Sequence, residues 1–457
     1  MAGNQYHRPL FKWINRLSPF KLLLIFYFFA VVASTIILSL PMIYQSGVEV
    51  AFIDKLFTAV SALSVTGLST ITIADTLSTV GIICLALIMQ LGAVGVMAIG
   101  TFVWLLLGKK IGLKERRLIM TDQNQTSFEG MVRLIKQLVY VLLTIELIGF
   151  LILGTYFLQY FPTASQAYLH GFFGSISATT NGGFDITGES LEPFRHDYFV
   201  QFINMILIIF GAIGFPVLIE VKEYIFARNE KRTKIRFSLF AKVTTFTFAV
   251  LIFVGALFIY LLDAANFFAG KSWHEAFFYS MFQSVTTRSG GLSTMDVSQL
   301  TEANHLFMSL LMFIGASPSS AGGGIRTTTF ALVVIFIITY ARGKRSIRIF
   351  HREVYEEDLL KAVTVMLMAI VLIFSSMLVI SITEPFSLTQ ILFEVTSAFG
   401  TVGLSLGITA ELSTFSKIVL MLLMFIGRIG IIPFLLIFKT DKKSGNYHYP
   451  KEKMIIG

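Results

Sequence analysis

Four short stretches carry residue types that could take a cation out of water: 61–68, 177–184, 284–292 and 397–404. Each runs from small or threonine-rich residues into glycine and then into Leu or Phe. A dehydrated cation needs oxygen ligands, and an extended strand can offer its own carbonyls while its side chains point away. Glycine at the narrowest level allows close approach and backbone angles closed to other residues. The expected ligand strands are Val65, Thr66 and Gly67; Asn181, Gly182 and Gly183; Ser289, Gly290 and Gly291; and Thr401, Val402 and Gly403. The fourth contains Thr-Val-Gly, the start of the sequence that lines a potassium filter. A lone glycine of this kind usually serves helix packing in a membrane. Here the last glycines stand 116, 108 and 112 residues apart, the mark of one unit used four times.

The elements that must position these strands follow from composition and hydropathy. Of 457 residues, 55% are hydrophobic and 14% charged, with a mean hydropathy of +0.76. A soluble domain carries roughly a quarter charged residues, so the chain reads as a polytopic membrane protein. Its one cysteine, Cys84, excludes an intramolecular disulfide framework. The net charge of +9 comes from short clusters between apolar spans, which read as topology signals rather than a nucleic-acid surface. Arg8, Lys12, Arg16 and Lys21 precede an apolar stretch with no cleavage-like site, so no removable leader is expected.

Long apolar segments run at 20–41, 78–107, 131–158, 197–226, 237–262, 304–340, 359–382 and 413–438. Each reaches the roughly 20 residues that cross a bilayer as helix. They group in pairs, and each pair encloses a shorter apolar segment, at 53–64, 168–179, 272–286 and 388–399, too short to span. The expected unit is outer helix, re-entrant pore helix, filter strand, inner helix. Lys and Arg follow the second, fourth and sixth spans and fill the tail, while the opposite loops carry Glu49, Asp185, Glu189, Glu192, Asp263, Asp296, Glu384 and Glu411. The positive-inside rule then makes both termini cytoplasmic and brings all four re-entrant segments in from outside. The fold class expected is an all-α membrane protein with four parallel repeats around a central pore, unlike an inverted-repeat carrier. The units are drawn at 20–130, 131–236, 237–358 and 359–438, with 1–19 and 439–457 as cytoplasmic ends.

The inner spans carry a second repeated glycine, Gly92, Gly211, Gly315 and Gly427, for which close helix packing is the simplest role. In the third repeat Gly315 is followed by Ala316, Ser317, Pro318, Ser319, Ser320, Ala321, Gly322, Gly323 and Gly324. Pro and a glycine run break helices, and 304–340 is long for one straight span. Two solutions remain, half-helices joined by an intramembrane loop or one kinked, tilted helix. The loop would find hydrogen-bond partners in its own serines or in cavity water. Arg428 lies deep within the eighth span, where an ionisable residue is by default functional; it is expected to face the cavity near the loop. Glu146 is expected to be neutral or paired, Arg288 to brace the third strand through a carboxylate such as Asp185, and Glu394 to brace a filter strand.

The four glycine motifs, the segment from Gly315 to Thr329 and the run from Phe425 to Gly430 resemble the Trk/Ktr/HKT superfamily of potassium transporters, and within it the membrane subunits of bacterial Ktr systems. The resemblance covers nearly the whole chain. It implies potassium uptake, with K+ as the transported ion and Na+ as an activator, by a homodimer in the cell membrane. It further implies a cytoplasmic ring of nucleotide-binding regulatory subunits, no nucleotide on this chain, and a gate built from residues 315–324 with Arg428. Glycine at all four filter positions matches the potassium-selective pattern, and members with serine at the first favour sodium. Pro318 and the three consecutive glycines depart from the pattern and put the loop's flexibility in question. The basic segments at 108–130, 222–236 and 341–358 are solvated anchors by the charge rule, and docking surfaces if the resemblance holds. Lipid is the remaining partner, and no nucleic acid is expected. The alternatives are a stand-alone monovalent cation channel, or a membrane enzyme or pump. Gly108-Lys109-Lys110 lacks the spacing of a phosphate-binding loop, and the seven histidines lack zinc spacing.

Overall fold

The computed structural model describes residues 19–95, 131–227, 236–344 and 346–437, and the single positions 450, 452 and 454. The expected basic segment 108–130, residues 228–235 of the segment 222–236, and nearly all of the two termini lie outside the described residues.

Among the described residues the regular structure is helical apart from one small hairpin. In the first repeat α1 (Pro19–Leu38), α2 (Phe52–Ser64) and α3 (Thr79–Val94) follow in order. The second has α4 (Met131–Tyr156), α5 (Ala164–Thr180), α6 (Tyr198–Ala212) and α7 (Phe215–Phe226). The third has α8 (Leu239–Leu262), α9 (Trp273–Thr286), α10 (Glu302–Ile314) and α11 (Thr327–Ala341). The fourth has α12 (Glu356–Thr383), α13 (Leu388–Gly400), α14 (Thr414–Ile429) and α15 (Ile431–Ile437). Local chemistry starts these helices where the sequence changes: Ser78, Thr163, Ser238, Thr301 and Ser413 each accept a backbone N–H of the first turn, and Ser387 with Gln390 forms a capping box.

The outer helices α1, α4, α8 and α12 are the unbroken ones, long and apolar enough to cross a membrane. Their outward faces stay exposed, as at Phe28, Phe253 and Phe374, which is where lipid tails replace a protein core. Each packs on the short helix of its own repeat, α1 on α2, α4 on α5, α8 on α9 and α12 on α13. Each inner helix packs on the short helix of the next repeat: α3 on α5, α6 on α9, α10 on α13, and α14 back on α2. The repeats therefore close into a ring.

The inner spans differ from expectation. The segment 197–226 reads as one apolar span, but α6 and α7 meet at a 106° bend. The break falls at Gly214, with φ 100°. Gly430, with φ 96°, likewise separates α14 from α15, and α3 stops at Gly95, with φ 93°. Hydropathy reports composition, and these breaks are a matter of backbone angle inside uniformly apolar sequence. In the third repeat the two half-helices α10 and α11 are joined by residues 315–326, so the broken form holds and the kinked single helix does not.

Between α11 and α12 the chain makes a two-stranded antiparallel hairpin, β1 (Arg348–Ile349) and β2 (Arg352–Glu353). Its tip residues Phe350 and His351 both take positive φ, 49° and 63°, as a two-residue turn matched to strand twist requires.

A candidate ion pathway

Three of the short helices are capped by a left-handed residue that is not glycine, Val65 (φ 57°), Asn181 (φ 59°) and Thr401 (φ 46°); α9 of the third repeat has a right-handed cap, Thr287, and its positive-φ residue, Ser289 (φ 71°), comes three residues past the helix end. Two residues further comes a positive-φ glycine, Gly67, Gly183, Gly291 or Gly403. The repeat is thus more regular in backbone than in side chains. Amides of the middle residues bind back to the helix, Thr66 to the Ser61 carbonyl at 2.8 Å, Gly182 to Ser177 at 2.7 Å and Val402 to Ser397 at 2.9 Å. Hydroxyls finish the fastening: Ser61 and Ser397 each accept the amide of their strand's glycine at 3.1 Å. Ser177 and Thr286 each donate to a carbonyl just beyond the glycine, Phe184 and Leu292, at 2.5 Å.

The four glycines are neighbours in a cycle. A β-carbon on Gly67 would stand 2.8 Å from the Cα of Gly183; on Gly183, 3.0 Å from that of Gly291; on Gly403, 3.1 Å from that of Gly67. The cycle is completed by Gly291, whose β-carbon would lie 3.5 Å from the Cα of Gly403. Such a carbon would also press on strand carbonyls, those of Gly182, Thr66 and Val402. The four strands proposed from sequence therefore come together at their glycines.

Braces surround the ring. The Glu394 carboxylate accepts Ser405 Oγ (2.5 Å), the Leu406 amide (3.1 Å) and Thr409 Oγ1 (2.8 Å), so it holds to α13 the segment after the fourth strand, where the strand itself was the expected partner. Glu146 accepts Gln90 Nε2 at 2.9 Å. Arg288 does not reach Asp185. Asp185 is taken up by its own turn, accepting the amides of Thr187, Gly188 and Ser190, while the wholly buried Arg288 donates through Nη2 to the Leu311 carbonyl of α10. Sequence reasoning missed a further tie, Lys417 Nζ of α14 to Asp54 Oδ1 of α2 at 2.9 Å, which links the fourth repeat to the first. The partners lie 363 residues apart, and nothing local marks them.

Directly beneath the third and fourth strands lies the loop between α10 and α11. Ser289 Oγ donates to the Gly400 carbonyl at 2.8 Å and accepts the Gly323 amide at 3.3 Å, and a β-carbon on Gly323 would meet Thr401 Oγ1 at 2.6 Å. Backbone groups of the broken second inner span supply part of the loop's bonding. Ser317 N donates to Ala212 O and Ala321 N to Gly211 O, each at 3.0 Å, and Phe215 N donates to Ser319 O at 2.8 Å. The bend at Gly214 is what frees these groups for the loop.

Arg428 bridges the loop to the first repeat. Its Nη1 donates to the carbonyls of Ser320 (3.2 Å), Ala321 and Gly322 (3.4 Å), and its Nη2 to those of Gly92 and Ala93 in α3. A second arginine was missed. Arg326 donates to the carbonyls of Gly322 and Ser317, the latter at 3.4 Å, and to that of Arg428 at 3.3 Å. As a lone basic residue inside the apolar stretch 304–340, it falls under the same depth rule that singled out Arg428.

Comparisons with known proteins cover the same span. The TrkH family profile, described as "Cation transport protein", matches residues 22–449. The chain is 57% identical over 446 residues to "Ktr system potassium uptake protein D" of Bacillus subtilis, covering 98% of this chain and 99% of that one. It is 34% identical over 450 residues to "Ktr system potassium uptake protein B" of the same organism, covering 98% of each. With "Potassium/sodium uptake protein NtpJ" of Enterococcus hirae the identity is 31% over 451 residues, 97% of this chain and 98% of that one. Among solved structures, the potassium transporter TrkH of Vibrio parahaemolyticus superposes with a TM-score of 0.71 at 18% identity, over 96% of this chain and 87% of that one, a likeness of fold.

Proposed function

The chain belongs to the TrkH family of cation transport proteins and is a multi-pass membrane transporter of the Ktr/Trk potassium uptake type rather than an enzyme; on that footing we propose that K+ crosses it through the ring formed by residues 65–67, 181–183, 289–291 and 401–403. The observation that carries this reading is the cycle of four glycines with matched backbone angles. Carbonyls of the strands replace the ion's water, and the four short helices end at the strands, where the negative end of each macrodipole favours a cation.

The gate in this reading is the loop 315–324 with Arg428. Its backbone is fastened to the inner span of the second repeat, and Arg428 fastens it to the first, so a cation leaving the ring meets a plug tied on several sides. The guanidinium adds a repulsive charge at the same level. Opening requires these carbonyls and amides to change partners. A cytoplasmic ring of nucleotide-binding subunits would drive that change by pulling on segments 222–236 and 341–358. The hairpin of the latter presents exposed Phe350, with exposed Tyr355 just beyond it. Stimulation by Na+, a homodimer and cytoplasmic termini complete the proposal. The naming of the Ktr relatives as systems supports a partner subunit, and the potassium/sodium name of the Enterococcus relative supports a sodium link.

The test is rubidium flux into vesicles containing the purified chain, with and without added sodium. Flux through the wild type and a raised sodium share in Gly67→Ser are expected, because a serine side chain at φ 91° must displace the neighbouring strand. Unchanged ion preference in a well-folded Gly67→Ser would remove the ring from the account. High flux without any cytosolic partner would favour the stand-alone channel.

A further inference from the structure

A glycine follows the inner helix in every repeat; Gly315 after α10 stands apart at φ 67° and ψ −148°, whereas in the other three repeats the glycine's backbone angles are nearly the same. They are φ 93° and ψ 134° at Gly95, φ 100° and ψ 127° at Gly214, and φ 96° and ψ 154° at Gly430. In the third repeat the residue with those angles is Arg326, at φ 81° and ψ 143°. It stands immediately before α11, as Gly214 stands before α7 and Gly430 before α15. The loop 315–325 is thus an insertion ahead of this shared break, and the break has received an arginine where the other repeats use glycine.

That backbone region is open essentially to glycine alone, and a residue with a β-carbon persists there only when its surroundings over-determine it. The surroundings of Arg326 do so. Its own amide donates to the Ile314 carbonyl at 3.1 Å, and its carbonyl accepts the Phe330 amide at 3.1 Å. Its guanidinium reaches two loop carbonyls, Gly322 and Ser317, and the carbonyl of Arg428. The side chain is buried with the loop and touches no carboxylate among the described residues. Side-chain bonds and backbone strain therefore meet in one residue, and both depend on the loop being where it is.

We propose that Arg326 is a strained latch of the loop: its guanidinium holds the loop against α14, and its backbone carries strain that is released when the loop leaves. The proposal rests on the loop being the gate. In it, opening is assisted from within, because breaking the guanidinium bonds frees Arg326 to relax to ordinary angles. A regulatory partner then has less to supply than the count of loop bonds suggests.

Two substitutions separate strain from latch. Arg326→Ala and Arg326→Gly both remove the guanidinium and differ only by a β-carbon, so the strain remains in the first and vanishes in the second. Rubidium flux through the partner-free full-length chain in vesicles should be higher for Arg326→Ala than for Arg326→Gly, by about tenfold. Arg326→Ala should also exceed the wild type. Thermal unfolding in detergent gives a second readout, with Arg326→Gly melting above Arg326→Ala, the reverse of the usual order set by unfolded-chain entropy. Equal flux and equal melting in the two variants would overturn the latch. Deletion of residues 318–323 distinguishes this failure from failure of the gate. If deletion leaves partner-free flux unchanged, gate and latch fall together; if deletion raises flux while Ala and Gly match, only the latch falls.

Discussion

The glycine ring and the layer beneath it are made by the same four repeats in opposite ways. In the ring, each repeat contributes a left-handed residue and then a positive-φ glycine, and each glycine has the next repeat's glycine as its neighbour. In the layer below, no two repeats contribute alike. The first offers the carbonyls of Gly92 and Ala93, the second a bent span, the third an inserted loop, and the fourth an arginine. Backbone symmetry suits coordination of a spherical ion, which has no preferred side. A layer that must exist in two arrangements needs unequal partners, so that some contacts break while others hold.

This contrast can be broken at its symmetric level first. Gly403→Ala would put a β-carbon at φ 96° against the Thr66 carbonyl, and the neighbour is backbone that cannot swing away. Strain and overpacking together should reduce rubidium flux about 100-fold or more while the protein still migrates as a folded species. Flux within threefold of wild type would mean that the ring is not the narrow part of the path.

At the asymmetric level the effect should have the opposite sign. Arg428→Gln removes charge-assisted bonds to the loop and to α3, and each such bond is worth about 1.5–3 kcal/mol. Partner-free flux should rise about tenfold to fiftyfold, measured in vesicles at equal protein density. A fall in flux with retained folding would show that Arg428 supports the path instead of closing it.

A smaller effect, on stability alone, should come from the tie between the last repeat and the first. Lys417→Met leaves Asp54 facing a mostly buried site without its cation, at 2.9 Å in the intact pair. Removing one partner of a fully buried pair costs about 3–5 kcal/mol, and partial exposure of Asp54 reduces this to about 2 kcal/mol. Thermal unfolding should show the loss, and Lys417→Met with Asp54→Asn should recover part of it. No recovery in the double variant would assign the loss to packing of the lysine stem.

How much of this was legible in the sequence depends on which atoms carry the information. The strands were legible because glycine is a local signal of backbone angle, and four copies at one spacing leave little else to explain them. An interruption of the third span was legible because Pro318 and three glycines disfavour a helix whatever surrounds them, but a loop between half-helices and a single kinked helix both satisfied that signal. The bend at Gly214 was not, since Ile213-Gly214-Phe215 is apolar throughout and its consequence is bonding between backbone groups of distant segments. Arg288 misled for a different reason. Charge complementarity suggested Asp185, but that carboxylate is saturated by amides of its own turn, while a carbonyl on α10 lies within reach of the arginine. Arg326 was visible as a charge at depth, and only the structure shows that it occupies the backbone position of a glycine.

The packing of α14 against α2 sets a timetable for biosynthesis. Translation delivers the first short helix early, and its neighbour α14 follows much later, Lys417 coming 363 positions after Asp54. Until then α2 keeps one flank, including Asp54, without its partner from α14. The membrane-inserted chain must wait as an open arc of three repeats, and a truncation anywhere before residue 414 would leave that arc permanently unclosed.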